Sequence, residues 1–177
     1  MSENTVEPLP PVNQFACAKM WADYLANRGI SEEQAPHQVA ESFGDNPALA
    51  DELLNEILHG TKRATSSLAS EYVYYNERVP QPDDHCIICD GAGEPRAILR
   101  IISVDRGTFF DVDPEFAAAE GEGDLSLAYW RREHEKFWRR TQKSIGNQWT
   151  PEDTLTPGGE LILERFEICW PAEFADK

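Results

Sequence analysis

Apolar side chains recur every three or four positions in the first third of the chain. Residues 14–27 show this helical spacing and are followed by Gly29, so we predict a helix that ends at this glycine. Ser31, with two glutamates after it, favours the start of a second helix that runs toward Phe43. The first third of the chain is therefore predicted to be helical.

Residues 47–58 form a third segment with helical periodicity. Asn46 and the proline after it are typical of a helix cap and a first helical residue, and Gly60 is expected to end the helix. If the chain then makes another helical turn, Thr61 is its N-cap and the new helix covers residues 62–72.

Strand patterns dominate the second half of the chain. Residues 86–90 and 96–104 are apolar runs separated by a glycine-rich turn, which predicts a hairpin. Ser126 is expected to cap a helix with one aromatic face, and residues 161–170 alternate as a half-buried strand does. Helices first and strands later indicate an α+β fold rather than a doubly wound parallel sheet.

Length and composition agree with one compact domain. At 177 residues, 41% of them hydrophobic, the chain can bury a full core, and we assign residues 13–177 to a single domain. Residues 1–12 are acidic and proline-rich, which predicts a flexible arm. Because this arm lacks the features of a signal peptide and no apolar run reaches membrane length, we expect a cytoplasmic protein that does not bind membranes.

The cysteines are predicted to be buried thiols. Cys86 and Cys89 form a C-x-x-C pair, but they fall on a predicted strand, where residues three apart point to opposite faces. Cys17 and Cys169 lie on a helix and a strand, and the sequence has no second ligand pair for zinc. We therefore predict no metal site.

The chain is strongly acidic, with a net charge of −16 from 32 acidic and 16 basic residues. Such a charge repels polyanions, whereas a protein that grips long RNA normally shows a basic face. This balance favours a small nucleoside-like substrate, or a short single-stranded RNA segment, over a long duplex. Six basic residues do fall on one predicted helix, where we interpret them as a solvated surface: Arg131, Arg132, Lys136, Arg139, Arg140 and Lys143.

The strongest candidate chemistry lies at Lys62 and Thr65. In a helical turn this spacing brings an amine and a hydroxyl to one face, within reach of each other. An amine can activate a hydroxyl only in its deprotonated form, which the positive end of a helix dipole favours. A solvated lysine and a surface threonine are the alternative interpretation.

Three acids flank two glycines in the sequence Glu120-Gly-Glu122-Gly-Asp124. Glycines let a backbone turn sharply and approach another group closely. Asp124 lies just before a predicted helix, where negative charge is stabilised, whereas Glu120 and Glu122 are candidates for orienting Lys62. We interpret His134, further along that helix, as a hydrogen-bonded packing residue.

Three ordered motifs resemble those of the ASCH domain family, a group of PUA-like small β-barrels. The first runs from Phe43-Gly44-Asp45 to Gly60-Thr61-Lys62-Arg63-Ala64-Thr65-Ser66-Ser67-Leu68, the second is residues 119–127 followed by Trp130, His134 and Phe137, and the third is Leu163-Glu164-Arg165-Phe166. The resemblance implies an α+β fold with a PUA-like mixed β-barrel flanked by helices, the first forty residues being a helical extension.

The resemblance also implies two functional classes. Some similar ASCH proteins are amidohydrolases that deacylate N4-acylcytidine with a lysine, a threonine and a glutamate and need no cofactor. Lys62 and Thr65 match the first two, with Thr65 as nucleophile and Lys62 as base, and the glutamate is Glu122 or Glu120. Other members are RNA-binding modules or ribonucleases. The residues expected to contact the substrate are Gly60, Arg63 and Ser66.

Overall fold

The computed structural model describes residues 6–177 of the chain. Its strands are β1 (Gln38–Glu41), β2 (Ala64–Leu68), β3 (His85–Cys89), β4 (Pro95–Gly107) and β5 (Leu161–Trp170). They form one mixed sheet in the order β1-β3-β4-β5-β2, in which β1 runs parallel to β3, and the β3–β4 and β2–β5 pairs are antiparallel.

The helices are α1 (Gln14–Arg28), α2 (Pro47–Leu58), α3 (Ala69–Tyr74), α4 (Pro114–Ala119) and α5 (Leu127–Ser144). Asn13, Asn46 and Ser126 cap α1, α2 and α5 through side chains that accept hydrogen bonds from first-turn amides. Gly29 ends α1 in the left-handed conformation, at a φ of 66°. No helix within residues 6–177 is both long and apolar enough to cross a membrane.

Two compact units divide the chain. The first comprises the chain up to His59 together with Asp83–Ile101 and Glu167–Lys177, and the second comprises Gly60–Pro82 and Ile102–Phe166. In the first unit, α1 packs on β3, β4 and β5 through a core of Cys17, Tyr24, Leu25, Ile87, Cys89, Ile98 and Cys169. The assignment of residues 13–177 to a single domain stays a prediction.

The core of the second unit is largely aromatic. Phe109 lies 5.4 to 6.4 Å, between ring centroids, from the rings of Trp130, Trp138 and Trp149. Such tilted and edge-to-face contacts add to the large apolar area that each ring buries. This cluster fixes α5, which carries Trp130 and Trp138, against β2 and β5 through Ala64, Leu68 and Leu161.

The strands predicted over residues 86–90, 96–104 and 161–170 are confirmed as β3, β4 and β5. The helix predicted from Ser31 toward Phe43 is wrong: only a 3₁₀ turn, Glu32–Gln34, forms before β1. Ala35 precedes a proline and is extended, at a ψ of 136°, which stops helical propagation.

The helix predicted over residues 62–72 is wrong in its first half. Residues from Ala64 onward pair with β5 as strand β2, and the helical part starts only at Ala69. Sheet pairing over five residues outweighs the weak helix propensity of Thr65 and the two serines after it. Helix α4 was not predicted, because its six residues are too few for a periodic pattern.

The predicted N-terminal arm, residues 1–12, falls partly outside the described residues. Pro11 and Val12 lie against Gly93, where an added Cβ would come within 2.5 Å of the Pro11 carbonyl oxygen. Asn13 N–H donates to the Gly93 carbonyl at 2.8 Å. The last residues of the predicted arm therefore pack on the turn between β3 and β4.

All four cysteines are buried free thiols. Cys86 Sγ lies 3.7 Å from a carboxylate oxygen of Glu41, whereas Cys89 Sγ lies 3.6 Å from Cys17 Sγ. The C-x-x-C pair thus has separate neighbours, as expected for alternating strand positions. Burial raises the pKa of the Cys89 thiol, which keeps it protonated and unreactive at neutral pH.

We expect the native protein to react slowly with a thiol-specific disulfide reagent and to release all four thiol equivalents only after denaturation, because the reagent needs an accessible thiolate. We also expect metal analysis of the purified protein to find no stoichiometric zinc. Fast native reaction, or one zinc per chain, would contradict the assignment of these cysteines as inert core residues.

Candidate active site

Lys62 lies two residues before β2 and is almost fully buried, with 1% of its surface exposed. Its Nζ donates to Glu122 Oε1 at 2.8 Å, to the Ala64 carbonyl at 3.0 Å and to the Glu120 carbonyl at 3.2 Å. An ammonium group has three N–H donors. All three are therefore satisfied, and Glu122 supplies the opposite charge that a buried cation needs.

Glu120 is also buried, with 1% of its surface exposed. One carboxylate oxygen accepts from Ser66 Oγ at 2.9 Å. The other accepts from Trp130 Nε1 at 2.6 Å and lies 2.7 Å from His134 Nε2. The His134 ring stacks on Trp130 at a centroid distance of 4.2 Å. Ser66 therefore serves as a donor within the protein, while its predicted contact with a substrate stays a prediction.

The pKa values of this pair move in opposite directions. Burial alone would raise the pKa of Glu120, but the charges of His134 and Lys62 outweigh it and lower that pKa to about 2. Burial alone would lower the pKa of His134, but the Glu120 charge and its hydrogen bond outweigh that effect and raise it. Both shifts favour the charged forms, so we assign the 2.7 Å contact between Glu120 and His134 as an ion pair.

Two glycines in the acidic loop allow its close approach to Lys62. Gly121 has a φ of 69°, and a Cβ there would lie 2.4 Å from Lys62 N and 2.5 Å from its Cα. Gly123 has a φ of 57°, and a Cβ there would lie 2.3 Å from the Tyr129 ring. Side chains at these positions would meet both strain and a clash. The two glycines therefore make the close approach that the sequence predicts, and the groups they approach are Lys62 and Tyr129 of the protein itself.

The three acids of the loop have different environments. Glu122 has a partly exposed side chain, at 22%, and contacts Lys62 directly. Glu120 touches Lys62 only through its carbonyl. Asp124 Oδ1 accepts from the Ser126 N–H at 2.9 Å, and bonding from Ser126 lowers the Asp124 pKa. Asp124 therefore stabilises the entry to α5.

Thr65 does not share a helix face with Lys62, because the helical turn expected there is replaced by β2. Strand alternation places Thr65 on the face opposite to Ala64 and Ser66. Within residues 6–177, no hydrogen bond joins Thr65 Oγ1 to Lys62 Nζ; the amine is held by the acidic loop instead. The catalytic role of Thr65 stays a prediction.

The backbone around Lys62 is fixed by its neighbours in the chain. Arg63 N–H donates to the Ala119 carbonyl at 2.7 Å, and its Nη1 donates to the Lys62 carbonyl at 2.7 Å. The Arg63 carbonyl accepts from Phe166 N–H at 3.0 Å, which extends the β2–β5 ladder. Helix α2 ends at Leu58 as predicted; His59 is its C-cap, and Gly60 follows the cap.

His134 is hydrogen-bonded, as expected, but its partner is a buried carboxylate, which the sequence analysis missed. The available signal was weak: Trp130 and His134 share a helix face, and an acidic loop precedes that helix. Glu120, Glu122 and His134 each place a metal-ligating atom within 4.8 Å of the others. Lys62, Ser66 and Trp130 already donate to those carboxylates, so we assign the cluster as an ion and hydrogen-bond network.

The arginines of α5 are partly neutralised within the helix. Arg139 pairs with Glu135 at 2.7 Å, and Arg132 pairs with Glu133 at 3.1 Å. The guanidinium of Arg140 lies over the Phe137 ring, 5.3 Å from the ring centroid. These contacts agree with the interpretation of this helix as a solvated surface.

Comparison with known proteins identifies relatives that match most of the chain. The profile of the ASCH domain matches residues 39–169. A crystal structure of an ASCH domain from Lactobacillus crispatus JV V101 is similar at a TM-score of 0.75 and 27% identity, covering 95% of this chain and 98% of its own. No curated protein matches the chain.

A crystal structure of a protein from Enterococcus faecalis V583, described under the family DUF984, is similar at a TM-score of 0.74 and 25% identity. The match covers 88% of this chain and 89% of that protein. The α+β, PUA-like fold implied by the sequence motifs is confirmed by these structures. The chain belongs to the ASCH domain family.

Proposed function

We propose that this protein hydrolyses the exocyclic amide of N4-acylated cytidine nucleosides, such as N4-acetylcytidine, without a metal ion. The contact between Lys62 Nζ and Glu122 Oε1, at 2.8 Å, carries the proposal. It joins a buried amine to a carboxylate that reaches solvent, so a proton can pass between the amine and bulk water. General acid–base catalysis needs such a proton path.

The choice between the two glutamates favours Glu122. Glu120 carries a carboxylate already bonded to Ser66, Trp130 and His134, and its low pKa makes it a poor proton acceptor. Glu122 accepts a proton from the Lys62 ammonium and leaves a free amine as the general base. Glu120 then holds the loop in place instead of transferring protons.

The reaction proceeds through an acyl-threonine ester. Thr65 Oγ1 forms a bond to the amide carbonyl carbon, and its proton passes to the Lys62 amine. The bond from that carbon to N4 breaks as Lys62 returns the proton to the leaving nitrogen. Water then cleaves the ester, which yields cytidine and a carboxylate and restores the hydroxyl. Substrate binding must bring Thr65 to Lys62, since the two are not bonded in this structure.

The charge of the protein supports a small, uncharged substrate. A net charge of −16 repels a polyanion over the whole surface, whereas a nucleoside carries no phosphate. In the second unit, the Thr65 face of β2 is partly exposed, so an acyl group can reach its hydroxyl. The fold alone does not decide the function of PUA-like domains, so the argument rests on these side chains.

We expect wild-type protein to convert N4-acetylcytidine to cytidine, followed by the change in nucleoside absorbance. Lys62→Met and Thr65→Ala should each lower kcat by about 100-fold or more, since each removes the base or the nucleophile. Ser67→Ala is the matched control, because it also removes a hydroxyl from β2. The Ser67 hydroxyl bonds the Tyr72 hydroxyl and has no proposed role in the reaction. An inactive wild type, or a fully active Lys62→Met variant, contradicts the proposal.

Glu122→Gln and Glu120→Gln should separate catalysis from structure. We expect Glu122→Gln to lose kcat and keep most of its thermal stability, because its side chain is partly exposed. Glu120→Gln should lose stability as well, since it leaves His134 without its counter-charge. Activity and melting temperature are measured on both. Equal losses of kcat and of melting temperature in the two variants would contradict the assignment of Glu122 to catalysis and Glu120 to structure.

Gly121→Ala should disrupt the site from the backbone. A Cβ at this position meets the Lys62 backbone and forces a left-handed alanine, so we expect a loss of about 2–4 kcal/mol in the free energy of unfolding. Gly146→Ala is the control, because it has a similar positive φ of 84° but nothing within 4 Å. Denaturant titration compares them; equal losses would mean that φ strain alone matters at Gly121.

For RNA we expect no retention of labelled single-stranded RNA at either low or high salt. Two of the α5 arginines, Arg132 and Arg139, are paired with glutamates, and the net charge is strongly negative. Phosphate contacts strengthen steeply as salt falls, so binding that appears only at low salt would favour the RNA-binding class instead. Filter retention at two salt concentrations makes this measurement.

A further inference from the structure

The proposed hydrolysis leaves one buried titratable pair unused. Glu120 is 1% exposed and the His134 side chain 12%, and the two side chains meet at 2.7 Å. Neither touches the Thr65 hydroxyl. A buried ion pair contributes little to net stability compared with apolar residues of similar size, so its presence beside the site calls for another role.

Hydrogen bonding fixes the protonation of His134. Its Nδ1 lies 2.9 Å from the Trp130 carbonyl oxygen, which only accepts, so this nitrogen must carry a hydrogen. Its Nε2 faces the Glu120 carboxylate, which also only accepts when ionised. Both ring nitrogens are therefore donors, and the ring is an imidazolium. A neutral ring would set a lone pair against one of two acceptor oxygens.

The same glutamate connects this imidazolium to the proposed base. The Glu120 carbonyl accepts from Lys62 Nζ at 3.2 Å, and two residues later Glu122 bonds that amine through its side chain. Between them, Gly121 packs on the Lys62 backbone. Any movement of the Glu120 side chain is thus transmitted to two of the three bonds that hold the amine.

We propose that protonated His134 is a positioning residue, which anchors Glu120 and so holds residues 120–122 against Lys62. The effect of His134 on catalysis rests on the proposed deacylation. The effect of His134 on the position of the Lys62 amine is independent of that proposed function. The charged groups that face His134 are Glu120 at the end of α4, Glu122 in the acidic loop and, beyond the carboxylate, Lys62 before β2. Loss of the proton releases the loop and frees the amine.

The sign of the pH dependence follows from the two pKa shifts. Because folding raises the pKa of His134, its contribution to stability is complete below the usual value of 6.5 and is lost as pH rises through the folded-state pKa. Because folding lowers the pKa of Glu120 from 4.5 to about 2, its contribution is present above 4.5 and is lost as pH falls toward 2. Both contributions are therefore complete between pH 4.5 and 6.5, and the network weakens as pH leaves this window in either direction.

The first test is a proton NMR titration of the histidine rings in the wild-type protein, assigned with His134→Gln. We expect the His134 ring to titrate at a higher pH than 6.5, the usual value, and the His85 ring below it, since burial lowers the His85 pKa. This measurement is made on the wild-type protein without substrate, and the His134→Gln variant serves only to assign the resonance. A neutral His134 ring at pH 6 overturns the proposal.

The second test measures the amine itself by acylation with acetic anhydride and mass spectrometry. In the wild type at pH 7, we expect Lys62 to be protected and Lys19, whose side chain is 67% exposed, to react fully. In His134→Gln, Lys62 labelling should rise by about 10-fold or more while far-UV circular dichroism stays unchanged. Equal protection of Lys62 in the two proteins overturns the proposal.

Kinetics distinguish this inference from the proposed function. With N4-acetylcytidine we expect His134→Gln to lower kcat by about 10- to 100-fold with KM little changed, since misplacing a base affects the chemical step. The wild-type fall in kcat at high pH, where His134 deprotonates, should flatten in the variant. If Lys62 is protected in the wild type and exposed in His134→Gln but the wild type does not deacylate the substrate, the proposed function is overturned and the positioning role is supported. An unchanged pH profile in the variant would overturn the positioning role.

Discussion

The burial of the Lys62 ammonium is the constraint on which the rest of the site depends. An uncompensated cation in a protein interior costs several kcal/mol, so every donor must find an acceptor. Here two backbone carbonyls and one carboxylate supply them, and all three come from residues 64, 120 and 122. The acidic loop must therefore stay beside the start of β2, and the chain between α4 and α5 is shaped to keep it there.

The path of the acidic loop, residues 120–124, is set by the backbone at Gly121. A loop that carries two acids into contact with a buried amine has to turn between them, and Gly121 makes the turn where no Cβ fits. The aromatic cluster behind it holds Trp130, whose indole N–H reaches Glu120. The hydrophobic core, the loop and the charged groups are thus one connected arrangement within the second unit.

The sequence predicted the elements that have long periodic patterns and missed those set by distant contacts. Residues 47–58 and 161–170 were placed correctly, because their own side chains determine helix or strand. Residues near Lys62 were predicted as helix, since their pairing with β5 depends on residues about a hundred positions away, at Arg165 and nearby. Family motifs pointed to Lys62 and the acidic loop, but the alternating faces of β2 and the partner of His134 required coordinates.

The stacking of His134 on Trp130 also gives this site a spectroscopic consequence. An imidazolium ring at a centroid distance of 4.2 Å can accept an electron from an excited indole, whereas a neutral imidazole accepts one poorly. The emission of Trp130 is therefore coupled to the charge of the ring that covers it. The aromatic core thus contains an intrinsic optical reporter of the state of the neighbouring carboxylate, readable in the unlabelled protein.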